Sequence, residues 1–251
     1  MAEQVGVIKI KGKIGDLSFY ESKDTFQVRT KGGASAERIS RDKAFERTRE
    51  NNQEFSLASQ SAKKLRILFR KIILQAPDTS LNTHLISRFL KMIKADGLSS
   101  RGNRILLAPN LRLIQNFQFN SKVHLSNVFL EHILVYIDPV DAHLHIDIPE
   151  INPTCALAFP SGATSFRIIT AAGVFNPENS NEHQASFIYS DYFDLQQNQE
   201  ASTFSFKILF EPSQPIMALF GITFYKQVLD CTVPINDGRD NVLAIVKILN
   251  I

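Results

Sequence analysis

The residues best suited to chemistry lie together at positions 138–147, which contain three aspartates and two histidines. Alternate side chains of a β-strand point to the same face, so His143, His145 and Asp147 would share one face and could offer nitrogen and oxygen ligands to a metal. The residues between them are leucine and isoleucine, as expected for a strand with its other face in a core. The imidazoles therefore need only be solvent-facing, and we expect no bound metal. His143, His145 and Asp147 are kept as weak metal candidates, with a metal hydrolase as the third functional hypothesis.

The other candidate motifs favour structural interpretations. Residues 236–241 are rich in oxygen ligands but lack the spacing of a calcium loop, and their Asp-Gly pair indicates a hairpin turn. Cys155 and Cys231 match neither a disulfide framework nor a zinc spacing, and Cys155 is expected to be a buried structural thiol. We therefore expect no catalytic residue, no cofactor and no enzymatic activity.

Charge is distributed unevenly along the chain, although the net charge is only +3. Residues 1–120 carry 22 Lys and Arg against 11 Asp and Glu, whereas residues 121–251 carry 6 against 14. Such asymmetry indicates either a polyanionic partner for the basic half or head-to-tail contact between copies of the chain.

Residues 41–75 have the 3.6-residue period of a helix with one apolar side. The apolar arc of this helix consists of Phe55, Ala58, Ala62, Leu65, Leu68, Phe69 and Ile72. Two hydrophobic residues, Ile67 and Leu74, fall instead within the basic arc, which suggests that the helix has a second packing partner. With the neighbouring cations they form the predicted interaction surface: Arg47, Arg49, Lys63, Lys64, Arg66, Ile67, Arg70, Lys71 and Leu74.

The elements around this helix predict an α+β fold. Residues 1–30 alternate like a β-hairpin or three-stranded meander, and a second helix after Pro77, ended by a left-handed glycine cap at Gly97, would complete an αα-hairpin. After residue 120 the period changes to two, which predicts an antiparallel β-sandwich of immunoglobulin-like size. We expect a basic domain over 1–120 and an acidic domain over 121–251. The strand-like segments are 128–137, 142–148, 164–170, 185–193, 202–211, 216–227 and 242–250.

Residues 12–20 read Gly-Lys-Ile-Gly-Asp-Leu-Ser-Phe-Tyr, and residues 45–55 contain an Arg-Thr-Arg-Glu-Asn segment that continues into the basic helix. These features resemble a family of uncharacterised proteins encoded in Bacteroidota genomes, over about the first 105 residues. The resemblance implies a two-part architecture and a non-enzymatic role, and it implies no particular site.

The expected function is that of a structural protein that assembles with itself or docks into a larger complex, such as a phage-like particle, a contractile injection machine or a surface filament. The alternative is a nucleic-acid-associated protein that uses its basic half. The N-terminus has no apolar signal region, and no apolar run approaches the ~20 residues of a membrane span. We therefore expect synthesis in the cytoplasm without a signal peptide, with the final location open.

Overall fold

The computed structural model describes residues 2–22, 25–30, 32–138, 140–141, 143–176, 184–207 and 215–249. Helices account for 30% of the structure and antiparallel sheets for 36%, so the predicted α+β class is confirmed. The chain forms two units, Met1–Asn51 and Asn52–Ile251.

The first unit is built on a four-stranded antiparallel sheet in the order β1-β4-β3-β2. Residues 5–9 of the predicted meander form no strand, because the Gln4 side-chain amide hydrogen-bonds to the backbone of Ile10 and closes these residues into a loop. A short helix follows the sheet, capped by the Ser35 side chain, which accepts from the backbone N–H of Arg38. The elements are β1 (Ala2–Glu3), β2 (Gly12–Ile14), β3 (Leu17–Ser22), β4 (Thr25–Thr30), α1 (Ala36–Arg41) and a 3-10 turn (Lys43–Phe45).

The helix predicted over residues 41–75 is present but interrupted. It comprises α2 (Glu46–Leu68) and α3 (Arg70–Ile73), with a break at Phe69, where the backbone leaves helical geometry. The side chains of the predicted apolar arc from Ala58 to Ile72 are buried, apart from half-buried Leu68. Phe55 was expected in this arc and is instead 54% exposed, because the core that α2 covers begins one turn later, at Ala58.

The second predicted helix is confirmed as α4 (Leu81–Lys94). The predicted glycine cap at its end is wrong, since Gly97 has no left-handed backbone. The helix ends instead at Ala95, whose backbone N–H donates to the carbonyl oxygens of Lys91 and Met92. Asp96 orders the segment that follows, since its carboxylate accepts hydrogen bonds from the backbone N–H groups of Leu98, Ser99 and Ile105. These bonds hold the pKa of Asp96 well below its usual range, with the Ser99 side chain making the largest contribution.

The remaining helical turns and strands complete the second unit, and the strand pairings among its described residues are all antiparallel. The ends of the predicted strands at 208–211 and 250 lie outside the described residues. The elements are a 3-10 helix (Ala108–Ile114), α5 (Leu125–Val128), β5 (Leu134–Asp138), β6 (His143–Ile148), α6 (Pro153–Ala156), β7 (Ser165–Val174), β8 (Gln184–Tyr189), β9 (Phe193–Asp194), β10 (Ser202–Lys207), β11 (Ile216–Val228), β12 (Cys231–Pro234), a 3-10 turn (Ile235–Gly238) and β13 (Val242–Leu249).

These strands form two sheets stacked face to face. The larger is six-stranded, with β11 paired to β7, β12 and β13, and β7 paired to β8 and β9. The smaller is three-stranded in the order β10-β6-β5. Apolar side chains of both sheets share one core, in which Ile146 of β6 and Phe220 of β11 are fully buried. The predicted sandwich is therefore present.

The six-stranded sheet is covered on both faces. On β7, Phe166 and Ile168 face the smaller sheet, whereas Ile169 and Ala171 belong to a second core shared with α2, α3 and α4. A strand buried on both faces needs apolar residues at nearly every position. This explains why Ile216–Tyr225 of β11 is buried without interruption.

The units that packing defines therefore differ from the predicted domains 1–120 and 121–251. Residues from Ala58 to Phe119 share a core with strands β7, β11 and β13. Charge and period change near residue 120, after the last long helix and before the first strand of this unit at Leu134. The helices nevertheless bury their apolar sides against strands that follow this change. Each helix of the described residues is too short or too polar to cross a lipid bilayer.

Candidate functional site

The exposed part of the predicted interaction surface is a line of side chains along α2 and α3, here called the α2–α3 stripe. Ile67 is 63% exposed and Leu74 is 65% exposed. The spacing places all of its members on one side of the helical path. The stripe consists of Lys63, Ile67, Arg70, Lys71 and Leu74, all exposed.

The stripe is exposed because the opposite side of the same helical segment is buried in the core. Leu65, Phe69 and Ile72 have no exposed surface and pack in the core against the six-stranded sheet. A helix lying on a sheet buries one side only, so Ile67 and Leu74 face away from it. Ile67 and Leu74, which the helical period placed in the basic arc, lie outside the core.

The other cations of the predicted surface have local partners or are half-buried. Within the first unit, Arg47 pairs with Glu50 at 3.0 Å, and the Arg49 guanidinium donates to the carbonyl oxygens of Ile39 and Asp42 at 2.7 and 2.8 Å. Arg49 thus ties the end of α1 to the start of α2. Lys64 and Arg66 are half-buried.

Lys71 is held in place by aromatic rings of β8. Its ammonium lies 5.8 Å from the centroid of the Phe187 ring and 5.4 Å from that of Tyr189. Burial raises the pKa of the Tyr189 hydroxyl, so the ring remains neutral and can accept the cation on its face. The stripe therefore carries a positioned cation as well as two exposed apolar side chains.

A cleft of about 730 Å³ opens beside Leu74. One wall of the cleft comes from the segment between α3 and α4, and the other comes from the turn before β13. In that turn Gly238 packs closely on Gln75, since a Cβ added to Gly238 would lie 2.8 Å from the carbonyl oxygen of Gln75. The sequence predicted a hairpin at this turn, and that prediction is wrong, because the flanking strands β12 and β13 each pair with β11 instead of with each other. Nothing local in the sequence indicates what the turn packs against. The lining residues are Ile73, Leu74, Pro77, Asp78, Thr79, Leu81, Lys122, Asp237 and Arg239.

Asp78 is a rigid part of this cleft. One carboxylate oxygen accepts from the backbone and hydroxyl of Ser80, both at 2.7 Å, and the other accepts from the backbone and hydroxyl of Ser121 at 2.9 and 2.6 Å. Burial favours protonation of Asp78, but the hydrogen bonds from Ser121 and Ser80 outweigh it and hold the pKa of Asp78 well below its usual range.

The polar residues of the β5–β6 hairpin lie on the outer face of the three-stranded sheet. His143, His145 and Asp147 share that face, while Leu144 and Ile146 between them are fully buried, as the alternation predicted. The three do not form one ligand set, since the rings of His143 and His145 stack with centroids 6.1 Å apart. Asp147 is engaged elsewhere, because its Oδ1 accepts from the hydroxyl of Thr203 at 2.7 Å.

A different set of ligand atoms comes together at the turn of this hairpin. Single ligand atoms of Asp138, Asp141 and His145 all lie within 4.8 Å of one another. The sequence interpretation included Asp138 and Asp141 in the metal-like cluster but took only His143, His145 and Asp147 as ligands. Strand register could have pointed to Asp138, which is the cross-strand partner of His143. Asp141 lies in the turn between β5 and β6. The alternation of side chains along a strand does not predict how the chain runs through a turn.

The second unit carries opposite charge on opposite faces. Residues 52–120, which include α3 and α4, hold 11 Lys and Arg against 3 Asp and Glu. The three-stranded sheet covers the other face of the large sheet, and its outer surface presents Asp138, Asp141 and Asp147 against one lysine of the described residues, Lys207. Three exposed glutamates lie just beyond the strands at one end of this sheet, where β5 and β10 begin and β6 ends: Glu131, Glu150 and Glu200.

Both cysteines are free and exposed. The expectation that Cys155 is buried is therefore wrong. The residue lies in the short helix α6, whose buried side is formed by Pro153 and Ala156 and leaves Cys155 towards solvent.

Comparison with protein-family models, with curated proteins and with solved structures found no match to this chain.

Proposed function

We propose that this protein is a structural protein that assembles with copies of itself, the α2–α3 stripe of one copy docking on the outer face of the three-stranded sheet of the next. The observation that carries the proposal is the exposure of Ile67 and Leu74, about two thirds each, among exposed cations. Isolated exposed hydrophobic residues are common, but two on one side of a helix beside an apolar-lined cleft favour a protein partner.

The apolar residues distinguish a protein partner from a polyanion. Lys63, Arg70 and Lys71 would suit phosphate groups, but isoleucine and leucine gain nothing from contact with phosphate. An interface centre that combines apolar anchors with cations gains from both when the partner is a folded, acidic protein surface.

Charge complementarity favours a second copy as the partner. The acidic outer sheet lies on the opposite face of the same unit from the basic helical layer, so a copy can receive the stripe of one neighbour while presenting its own stripe to another. Such head-to-tail contacts close into a ring or extend as a filament, depending on the rotation between copies.

The first experiment measures the mass of the full chain by size-exclusion chromatography with light scattering, over a range of concentrations in low and high salt, with negative-stain microscopy of the same samples. We expect a concentration-dependent oligomer that dissociates as salt screens the charges. A monomer at high concentration in both salts would overturn the proposal.

The variant Ile67→Ser with Leu74→Ser tests the stripe. Fully burying an Ile or Leu side chain contributes about 1.5–3 kcal/mol, so burying the exposed two thirds of both contributes about 2–4 kcal/mol and its loss weakens association roughly 30- to 700-fold. The matched control is Leu98→Ser with Leu229→Ser, since both leucines are 92% exposed and lie outside the stripe. Equal weakening by both pairs would contradict a specific stripe.

A mixing experiment tests the head-to-tail arrangement. We expect Glu150→Lys with Glu200→Lys to block the outer sheet, and the serine pair to block the stripe, so that each variant alone is monomeric. Mixed together, they retain one intact pair of surfaces and should form a one-to-one dimer. If the outer-sheet variant still assembles alone, the acceptor surface is wrongly assigned.

The second candidate function is association with nucleic acid, which is favoured by the excess of Lys and Arg in residues 52–120. A mobility-shift titration tests it. Binding that weakens steeply with salt and survives the Ile67→Ser, Leu74→Ser change would favour this alternative over self-assembly.

A further inference from the structure

We propose that Asp138, Asp141 and His145 bind a divalent transition-metal ion of the Zn²⁺ type at the turn of the β5–β6 hairpin. The site goes beyond the proposed assembly and does not depend on it. Its ligand atoms come from the end of β5, from the turn and from the middle of β6, and they lie within 4.8 Å of one another.

The spacing is close to that of a coordinated ion. Nitrogen and oxygen ligands lie at about 2.0–2.2 Å from zinc, which places tetrahedral ligand atoms roughly 3.3 Å apart. The distance from His145 Nε2 to Asp141 Oδ2 is already 3.7 Å. The other separations are at most 4.8 Å, so coordination requires rotations of the aspartate side chains that shorten them by no more than about 1.5 Å.

The imidazole distinguishes this cluster from a patch of surface carboxylates. The His145 side chain is only 15% exposed, and its Nδ1 makes a hydrogen bond of 2.9 Å with the hydroxyl of Ser205 on β10. This bond turns Nε2 towards Asp141. Metal-binding histidines are commonly oriented in this way, by a partner on the other ring nitrogen.

Within the described part of the chain, each carboxylate accepts a hydrogen bond on one oxygen only. Oδ1 of Asp138 accepts from the backbone N–H of Val140 at 2.8 Å, and Oδ1 of Asp141 accepts from that of His143 at 3.0 Å. The remaining oxygens carry the charge that a divalent cation neutralises. One nitrogen and two carboxylate ligands suit Zn²⁺ better than Mg²⁺ or Ca²⁺, which take oxygen ligands.

His143 is not part of this set. Its Nδ1 lies 2.7 Å from the backbone oxygen of Asp141, and its ring stacks beside that of His145 instead of converging with it. Asp147 is also outside the set, because it accepts from Thr203 and from the Tyr136 hydroxyl, whose pKa is raised by burial and by the nearby carboxylates.

The test is a titration of the full chain with Zn²⁺ by calorimetry, in a Cys155→Ser, Cys231→Ser background that removes the two exposed thiols. We expect one ion per chain. His145→Ala, Asp138→Asn and Asp141→Asn should each weaken binding at least tenfold, and Ser205→Ala should weaken it less. His124→Ala is the matched control, since His124 is an exposed histidine away from the hairpin, and it should leave the affinity unchanged.

Substitution with Co²⁺ gives a second readout, because its visible absorption reports nitrogen and oxygen ligands directly, and the His145→Ala variant should lose that spectrum. Absence of Zn²⁺ binding would overturn the proposal. So would Zn²⁺ binding that survives His145→Ala, or Mg²⁺ and Ca²⁺ binding as tight as Zn²⁺, since either would indicate an acidic surface without a defined site.

Discussion

Phe69 and Gly173 make a close contact between the helical layer and the six-stranded sheet, and a double-mutant cycle can measure it. Phe69 lies fully buried at the break between α2 and α3, and a Cβ added to Gly173 of β7 would lie 2.8 Å from its Cζ and 2.9 Å from its Cε1. The next neighbour of that Cβ is the Ala185 side chain at 3.0 Å. Gly173 has no left-handed backbone, so alanine is acceptable there except for these contacts.

The expected magnitudes follow from the contacts. Gly173→Ala forces the ring or the strand to move, which costs about 1–3 kcal/mol of unfolding free energy. Phe69→Ala leaves a large cavity and costs about 3–5 kcal/mol. In the double variant the two shortest contacts are gone and only the one to Ala185 remains. The double variant should therefore be more stable than the sum of the single changes predicts, by about 1 kcal/mol or more.

The assay is urea unfolding followed by circular dichroism for the four proteins of the cycle, with Phe69→Leu in place of alanine if the alanine variant is unfolded. Phe55→Ala is the control partner for Gly173→Ala, because Phe55 is 54% exposed and its change should be additive. Additivity of the Phe69 and Gly173 changes to within about 0.5 kcal/mol would refute the packing of the helical break on β7.

Three further predictions concern buried or partly buried contacts of the second unit. Gly221→Ala should destabilise the fold by about 3 kcal/mol or more, measured by urea unfolding, because its Cβ would lie 2.4 Å from the backbone oxygen of Val242, which no side-chain rotation relieves. Glu54→Ala should lower the unfolding free energy by about 3–5 kcal/mol in the same assay, because buried Glu54 accepts a hydrogen bond from the backbone N–H of Gly102 and pairs with Arg104 at 3.5 Å. A decrease of less than about 1 kcal/mol would contradict this prediction. The lowered pKa of Asp78 means that its ionised form stabilises the fold above the ordinary carboxyl pKa of about 4, and that this contribution is lost as pH falls below that value. Asp78→Asn should therefore lower the unfolding free energy at pH 7 by more than it does near pH 3, and an equal difference at both pH values would refute the role of the charge.

Local periodicity was enough to place most strands and both long helices. The alternation in residues 143–148 correctly separated the polar from the buried side chains of β6, and the helical period correctly left Ile67 outside the core. The same period wrongly placed Phe55 in the core and did not predict the break at Phe69. The reason is that the spacing of residues along a helix does not show where the sheet packed against that helix begins or ends.

The sequence by itself determined which side of each element is apolar, since that depends only on the spacing of residues along one helix or strand. It also determined the separation of basic and acidic segments, which is a property of composition. Only the tertiary structure brought Asp138, Asp141 and His145 together, and only the stacking of layers placed the basic and acidic surfaces on opposite faces of one unit. The physical reason is that strand order and layer packing are set by contacts between residues distant along the chain, on which the local pattern carries no information.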